Sequence, residues 1–292
     1  MAALNIWHRT TYRYRRPVAL GIHRLQLRPR ESRDIRVVSH NVTITPRAVV
    51  TWANDVFGNT VANVFFPAPA ATLLIESSAV LEHNSEPWPL FDIASSATSY
   101  PFDYSDDERL DLGALLVPQY TDPERRLLGW AKGFIRSTPT DTLSLLKDMN
   151  AAISAWVSYE SRDDEGTQPP IATLDRGWGS CRDIALLLIE AVRNLGLGAR
   201  IVSGYLANWN DTPGPMIGST DTGSTHAWAE IYLPGAGWVT FDPTNRTVGE
   251  FSLVPVAVAR DIKQAVPVSG SFAGNPDDFL GMTVEVAVRR IN

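Results

Sequence analysis

Three residue types in one order suggest thiol chemistry. A lone cysteine, Cys181, is followed 45 residues later by His226, and Asp242 lies 16 residues beyond that. A free thiol with a pKa of about 8.5 is only roughly 3% ionised at neutral pH, and the thiolate is the nucleophile. An imidazole takes the thiol proton and later returns it to a leaving group, while a carboxylate holds the ring in the useful tautomer. Taken singly, these residues are ordinary. A free cysteine is most often a small buried hydrophobe, a histidine at a strand start is most often structural, and an aspartate before proline is most often a turn residue. Their joint appearance is what points to chemistry, because catalytic groups are near in space and not in sequence.

The elements that would position them can be read locally. In "GWGSCRDIALLLIEAVRNLG" (177–196), Ser180 caps a helix and Asp183 completes an S-x-x-D capping box. The helix runs through "IALLLIEAVRNL" to Gly196, a good left-handed terminator. Cys181 then falls at the first helical position, where unpaired amides and the helix dipole favour an anion. The same amides can hold the oxyanion of a tetrahedral intermediate. "HAWAEIYL" (226–233) and "GWVTFDPT" (237–244) read as strands joined by the turn "PGAG" (234–237), a hairpin that brings Asp242 beside His226. His226, Trp228 and Glu230 share one face of the first strand. Trp178, Ser180 and Trp228 are the candidates for an oxyanion or substrate-groove role, and Trp209 and Trp238 join the tryptophans able to line an apolar groove or fill core. Arg182 and Asp183 either brace the site or serve as a surface ion pair and cap. The Gly-, Ser- and Thr-rich loop 208–225 leads into His226, as a cover for the cleft or a plain surface loop.

Further out, residues 4–83 alternate in short runs, "HNVTITP" (40–46), "AVVTWAND" (48–55), "NTVANVFFP" (59–67) and "TLLIESSAVLEH" (72–83). Turn signals at Asn54-Asp55 and Gly58-Asn59 separate them, a pattern that predicts a sandwich or barrel. From Asn84 to Asp122 the chain is rich in Pro, Ser and Asp, the chemistry of a surface-draped connection. Helical spacing follows, with starts expected at Pro123 and Asp141. Strand-like pieces come last, including "ARIVSGYL" (199–206) and "MTVEVAVRRI" (282–291). The expected plan is α+β, with an N-terminal β-sandwich domain over 1–105, a linker over 106–122 and a core over 123–292.

Composition narrows the classes. With 44% hydrophobic and 20% charged residues the 292-residue chain has an ordinary globular balance. One cysteine forbids an internal disulfide and thiolate metal cages. The histidines (His8, His23, His40, His83, His226) are scattered, so no metal or other cofactor is expected. The N-terminus lacks the order of a secretory signal and no apolar run approaches a membrane span, so a soluble cytoplasmic protein with no membrane partner is expected. Ten arginines against two acids give residues 1–47 a charge of +8 in a chain of −6. That excess reads as arginines on solvent faces of strands, and no nucleic-acid partner is expected because nucleic-acid motifs are missing.

"EGTQPPIATLDRGWGSCRDIALLLIEAVRNLGLGARIVSGYL" and "STHAWAEIYLPGAGWVTFDPTN" resemble the core of the bacterial transglutaminase-like superfamily. "HRTTYRYRRPVALGIHRLQLRP" resembles the β-rich domain that precedes that core in many members. The resemblance implies a papain-like, transglutaminase-like cysteine-enzyme core with Cys181, His226 and Asp242 as its triad. It implies acyl transfer through a thioester on a peptide or protein substrate, no metal, and water or a primary amine as acceptor. Animal members hold the oxyanion with a tryptophan indole, and Trp178 is the nearest candidate here. The alternative is a non-catalytic protein-binding module that keeps the fold.

Overall fold

The computed structural model describes residues 2–85, 89–162, 166–207, 223–249 and 251–291. Six strands come first: β1 (Ala2–Leu20), β2 (His23–Leu25), β3 (Ile35–Thr45), β4 (Val49–Asn54), β5 (Thr60–Phe65) and β6 (Ala70–His83). β6 lies between β1 and β3 in one antiparallel sheet, and β5 lies between β2 and β4 in a second. Tyr14, Val18, Leu73 and Ile75 of the first sheet bury against Leu25, Ala62 and Val64 of the second, the predicted sandwich. Six of the ten arginines in 1–47 are held by partners: Arg9 by Glu76, Arg16 by Asp278, Arg24 by Asp55, Arg30 by Asn59, Arg33 by Asp34 and Arg36 by Glu82.

Among the described residues five α-helices follow: α1 (Asp106–Leu112), α2 (Arg126–Lys132), α3 (Thr142–Trp156), α4 (Pro170–Arg176) and α5 (Cys181–Asn194). The first lies in the stretch read as linker. Gln119 and Tyr120 donate their N–H groups to the Glu190 carboxylate at 2.7 and 3.0 Å, so this connection is tied to α5. α2 starts three residues after Pro123, because the Asp122 carboxylate accepts from the N–H groups of Arg126, Leu127 and Leu128. Asp141 caps α3 as expected, accepting from Ser144 N–H at 2.7 Å. Among the described residues no helix is long and apolar enough to cross a membrane.

The core sheet is antiparallel, from β7 (Ala199–Leu206), β8 (Ser224–Leu233), β9 (Gly237–Asp242) and β10 (Leu253–Ala259), in the order β9-β8-β7-β10. β10 has no alternation to announce it: "LVPVAVA" is buried throughout. Pro255 lacks an N–H, and the ladder shifts register opposite Ser203 and Gly204 to pass it. Ala227, Ala229, Ile231 and Leu233 of β8 pack against Ile184, Leu187, Leu188 and Val192 of α5.

The last strand, β11 (Phe279–Ile291), falls by sequence within the core expected over 123–292. It pairs instead with β1, from Ala3 opposite Ile291 to Thr11 opposite Thr283, and 272–273 joins the same sheet. β1 has two edges and β6 fills only one. The chain end supplies the other, a pairing that no local pattern encodes. At about 3.3 Å per residue, the 14 residues of β6 extend about 45 Å. Its far end, with β1 and β3, therefore packs elsewhere: Leu4, Ile6, Ile35 and Leu81 bury against Tyr205, Ala207, Val254 and Val256 of the core sheet. The two regions share a hydrophobic core.

His8 sits at this junction, 1% exposed, with Nδ1 at 3.0 Å from the Tyr205 hydroxyl and Nε2 at 2.9 Å from Thr10 Oγ1. Burial pushes its pKa down from 6.5 to about 4. The unfolded chain thus binds a proton that the folded chain refuses. The stabilisation present above about pH 6.5 is lost as pH falls toward 4. The melting temperature is expected to drop over this window, and to drop less in His8→Gln. Parallel curves for the two proteins would contradict this role for His8.

Candidate active site

Cys181 is the first residue of α5, part-exposed at the helix mouth. The strand "WG" (178–179) that leads to it pairs in parallel with Ser158-Tyr159. Gly179 is required there, since a β-carbon would approach the Asp183 Cβ to 2.9 Å. The Asp183 carboxylate is fully buried and densely satisfied. It accepts from Ser180 N–H at 2.9 Å, Ser180 Oγ at 2.8 Å, Gln168 N–H at 2.6 Å and the Arg162 guanidinium at 3.3 Å. Burial pushes this acid up, but those hydrogen bonds and Arg162 outweigh it and keep the group below the usual carboxylate range. Asp183 therefore fixes the start of α5 and ties 162–168 to it.

β8 and β9 bring the other two residues together as the hairpin predicts. His226 Nε2 donates to Asp242 Oδ2 at 2.9 Å, with side chains 1% and 0% exposed. Nδ1 is then the ring nitrogen that Asp242 does not engage, and the imidazole and the Ala227 N–H lie close enough to Cys181 for both to lower the pKa of its thiol. Asp242 Oδ1 accepts from the N–H groups of Thr244 and Asn245 at 2.9 and 3.2 Å, and Asn245 Nδ2 donates to Oδ2 at 2.8 Å. Asn245 was not singled out from sequence, although "DPTN" carries the signal of an Asx-rich turn.

The electrostatics follow from these contacts. Burial would lower the His226 pKa, but the Asp242 carboxylate and Cys181 raise it to about 10. Burial would raise the Cys181 thiol, but the hydrogen bond and charge of His226, the Ala227 N–H and Arg182 bring it below its ordinary value. Burial opposes the Asp242 charge as well, and His226 and Asn245 more than restore it. The arrangement favours a thiolate, an imidazolium and a carboxylate in a row.

The groove candidates separate. Ser180 is 5% exposed and its hydroxyl is spent on Asp183, so it is a cap and not a groove residue. Trp228 is 1% exposed, stacked on His226 with centroids 6.1 Å apart and planes at 27°. It lies behind the imidazole rather than in an open groove, because β8 turns this face toward the N-terminal sandwich. Trp178 stays half-buried beside Cys181, with the Arg176 guanidinium 5.6 Å over its ring. Trp238 lies under Arg200 at 4.0 Å. Trp209 and residues 208–222 of the loop before His226 lie outside the described residues.

Sequence reasoning missed Tyr159. Its strand pairs it with Gly179, two residues before the cysteine. Burial raises its phenol, and negative charge on Cys181 raises it further. A single aromatic in a two-residue strand has no periodicity to mark it. Among the described residues, no group of three or more His, Cys, Asp or Glu side chains is placed to hold a metal ion.

Comparison with known proteins agrees with this architecture. The profile of the bacterial transglutaminase-like N-terminal region matches residues 4–82, and that of the transglutaminase-like superfamily matches 129–243. An uncharacterized protein of Mycobacterium tuberculosis (strain ATCC 25618 / H37Rv) is 30% identical over 297 residues, covering 96% of this chain and 91% of the relative. One of Mycobacterium leprae is 26% identical, covering 98% and 99%. The crystal structure of a candidate cysteine protease from Cytophaga hutchinsonii superposes with a TM-score of 0.75 at 21% identity, covering 100% of this chain and 92% of that one, which establishes the fold. The chain belongs to the transglutaminase-like superfamily, with the bacterial transglutaminase-like N-terminal region ahead of its core.

Proposed function

We propose that the protein is a thiol-dependent acyl-transfer enzyme acting on peptide or protein amides. The observation that carries this reading is the His226 imidazole held between the Asp242 carboxylate and the Cys181 sulfur. The Cys181 thiolate attacks the amide carbonyl carbon. A C–S bond forms and the carbonyl electron pair moves to oxygen. The N–H of Cys181, which precedes any intrahelical acceptor, and the Tyr159 hydroxyl stabilise that oxyanion. The C–N bond then breaks as the imidazolium gives its proton to the leaving amine, which leaves an acyl-thioester and a neutral ring. Water, or a primary amine, attacks the thioester while the imidazole takes its proton, and the thiolate is released. Water makes the protein a peptidase or amidase, and an amine makes it a transglutaminase.

Throughout the cycle Asp242 keeps its charge and holds the ring by Nε2.

Thiolate absorbance near 240 nm is expected to persist well below pH 8 in the wild-type protein and to vanish from that range in His226→Ala. A wild-type titration matching a free thiol would contradict the reading. Incubation with peptide libraries, with and without a primary amine, is expected to give mass changes read by mass spectrometry. A gain of the amine less ammonia marks transamidation at a carboxamide, and cleavage with gain of water marks hydrolysis. Both are expected to disappear in Cys181→Ala, and product formed equally by that variant would overturn the assignment.

A further inference from the structure

We infer that the turn Asp55–Asn59 of the N-terminal sandwich positions the His226 imidazole, acting through Phe57 and Trp228; this rests on the reading of Cys181 and His226 as a working pair. One face of the core sheet is covered by α5. The opposite face carries His226 and Trp228, and the N-terminal region covers it. Trp228 stacks on the imidazole, and the far edge of its indole lies against Gly204, the residue opposite His226 in the ladder. A β-carbon at 204 would come within 2.8 Å of that ring and 2.1 Å of the Val254 carbonyl oxygen. The missing side chain is the slot in which the indole sits.

Among the described residues nothing polar sets the indole's place. Its N–H is buried and has no hydrogen-bond partner among the described residues. A buried donor left unmade is destabilising, so retaining tryptophan here calls for a reason. A broad flat surface behind the imidazole is such a reason. Its position is then fixed by packing within an apolar cluster with Val202, Leu206, Leu253 and Val258 of the core sheet, and Phe57 of the other region packs against that cluster.

Phe57 is held there by construction. The Asp55 carboxylate accepts from the N–H groups of Phe57 and Asn59, both at 2.9 Å, and from Arg24 at 3.0 Å. Gly58 takes φ +72°, which closes the turn. Arg30 donates to the Phe57 carbonyl at 3.2 Å. Asn59, fully buried, accepts from Val258 N–H at 2.9 Å and donates to Val258 O at 2.7 Å. Val258 belongs to the same apolar cluster as Trp228. The turn is thus clamped to the edge strand at a residue that helps wall in the indole. Without Phe57 the indole gains room to shift, the imidazole loses its rear wall, and its hydrogen bond to Cys181 loosens.

The test is the rate of iodoacetamide alkylation of Cys181 against pH in the full-length chain, with folding checked by circular dichroism. Wild type is expected to react at a plateau that extends below pH 7. Phe57→Ala is expected to lose about tenfold of that rate below pH 7, its midpoint moving toward that of a free thiol. Phe57→Leu is expected to restore most of it. Val56→Ala, at an exposed neighbour, is expected to match wild type. A folded Phe57→Ala protein whose profile superimposes on wild type, with only its melting temperature lowered, overturns the inference. Should that variant not fold, Phe57→Leu and Phe57→Val carry the test, and loss graded with side-chain size supports the inference while unchanged profiles overturn it. A wild-type profile identical to a free thiol overturns the parent reading instead, and this inference with it.

Discussion

A carboxylate with no access to solvent sits at Asp242, and an imidazole donates to it at 2.9 Å. A buried charge is strongly unfavourable unless it is paired and hydrogen-bonded. The chain meets that constraint with two backbone N–H groups from the turn just after Asp242, the amide of Asn245, and a positive charge on His226. Once the imidazole is positive, the neighbouring sulfur is favoured as an anion. The direction of causation runs from the acid to the ring to the thiol, and each step is a local electrostatic response to the one before.

A second buried acid does the corresponding work for the sulfur's own element. Asp183 holds the N–H and hydroxyl of Ser180 and ties 162–168 to the start of α5. A third, Glu190, is ion-paired with Arg193 at 2.7 Å with both side chains fully buried. Arg193 also donates to the carbonyls of Leu115, Ala199 and Arg260. Helix α5 thus carries Cys181 at one end and is tied at the other to the connection from the sandwich and to the core sheet. The sulfur is placed by a helix start and not by a free loop, the kind of positioning that the proposed chemistry would need.

Much of this is legible in the sequence because the cues are local. Ser180, Asp183 and Gly196 mark the ends of α5 through capping and left-handed termination. The alternation of 226–233 and the turn at 234–237 imply the hairpin that joins His226 to Asp242. What is not legible is set by distant partners. Trp228 is buried in an apolar cluster that Phe57, 171 positions away in the chain, packs against. β11 finds its place beside β1 only because the long strand has a vacant edge. β10 is hidden because a strand buried on both faces shows no alternation and contains a proline. Tyr159 owes its place near the sulfur to a two-residue parallel pairing that no periodicity reveals.

The central claim is that the ground state is a thiolate beside an imidazolium held by a buried carboxylate. Nitrogen NMR of the His226 ring in the intact protein at pH 7.5 tests it most directly. The account predicts both ring nitrogens protonated at that pH, with deprotonation near pH 10. A neutral ring with one unprotonated nitrogen at pH 7.5, titrating near the ordinary value of 6.5, would contradict it.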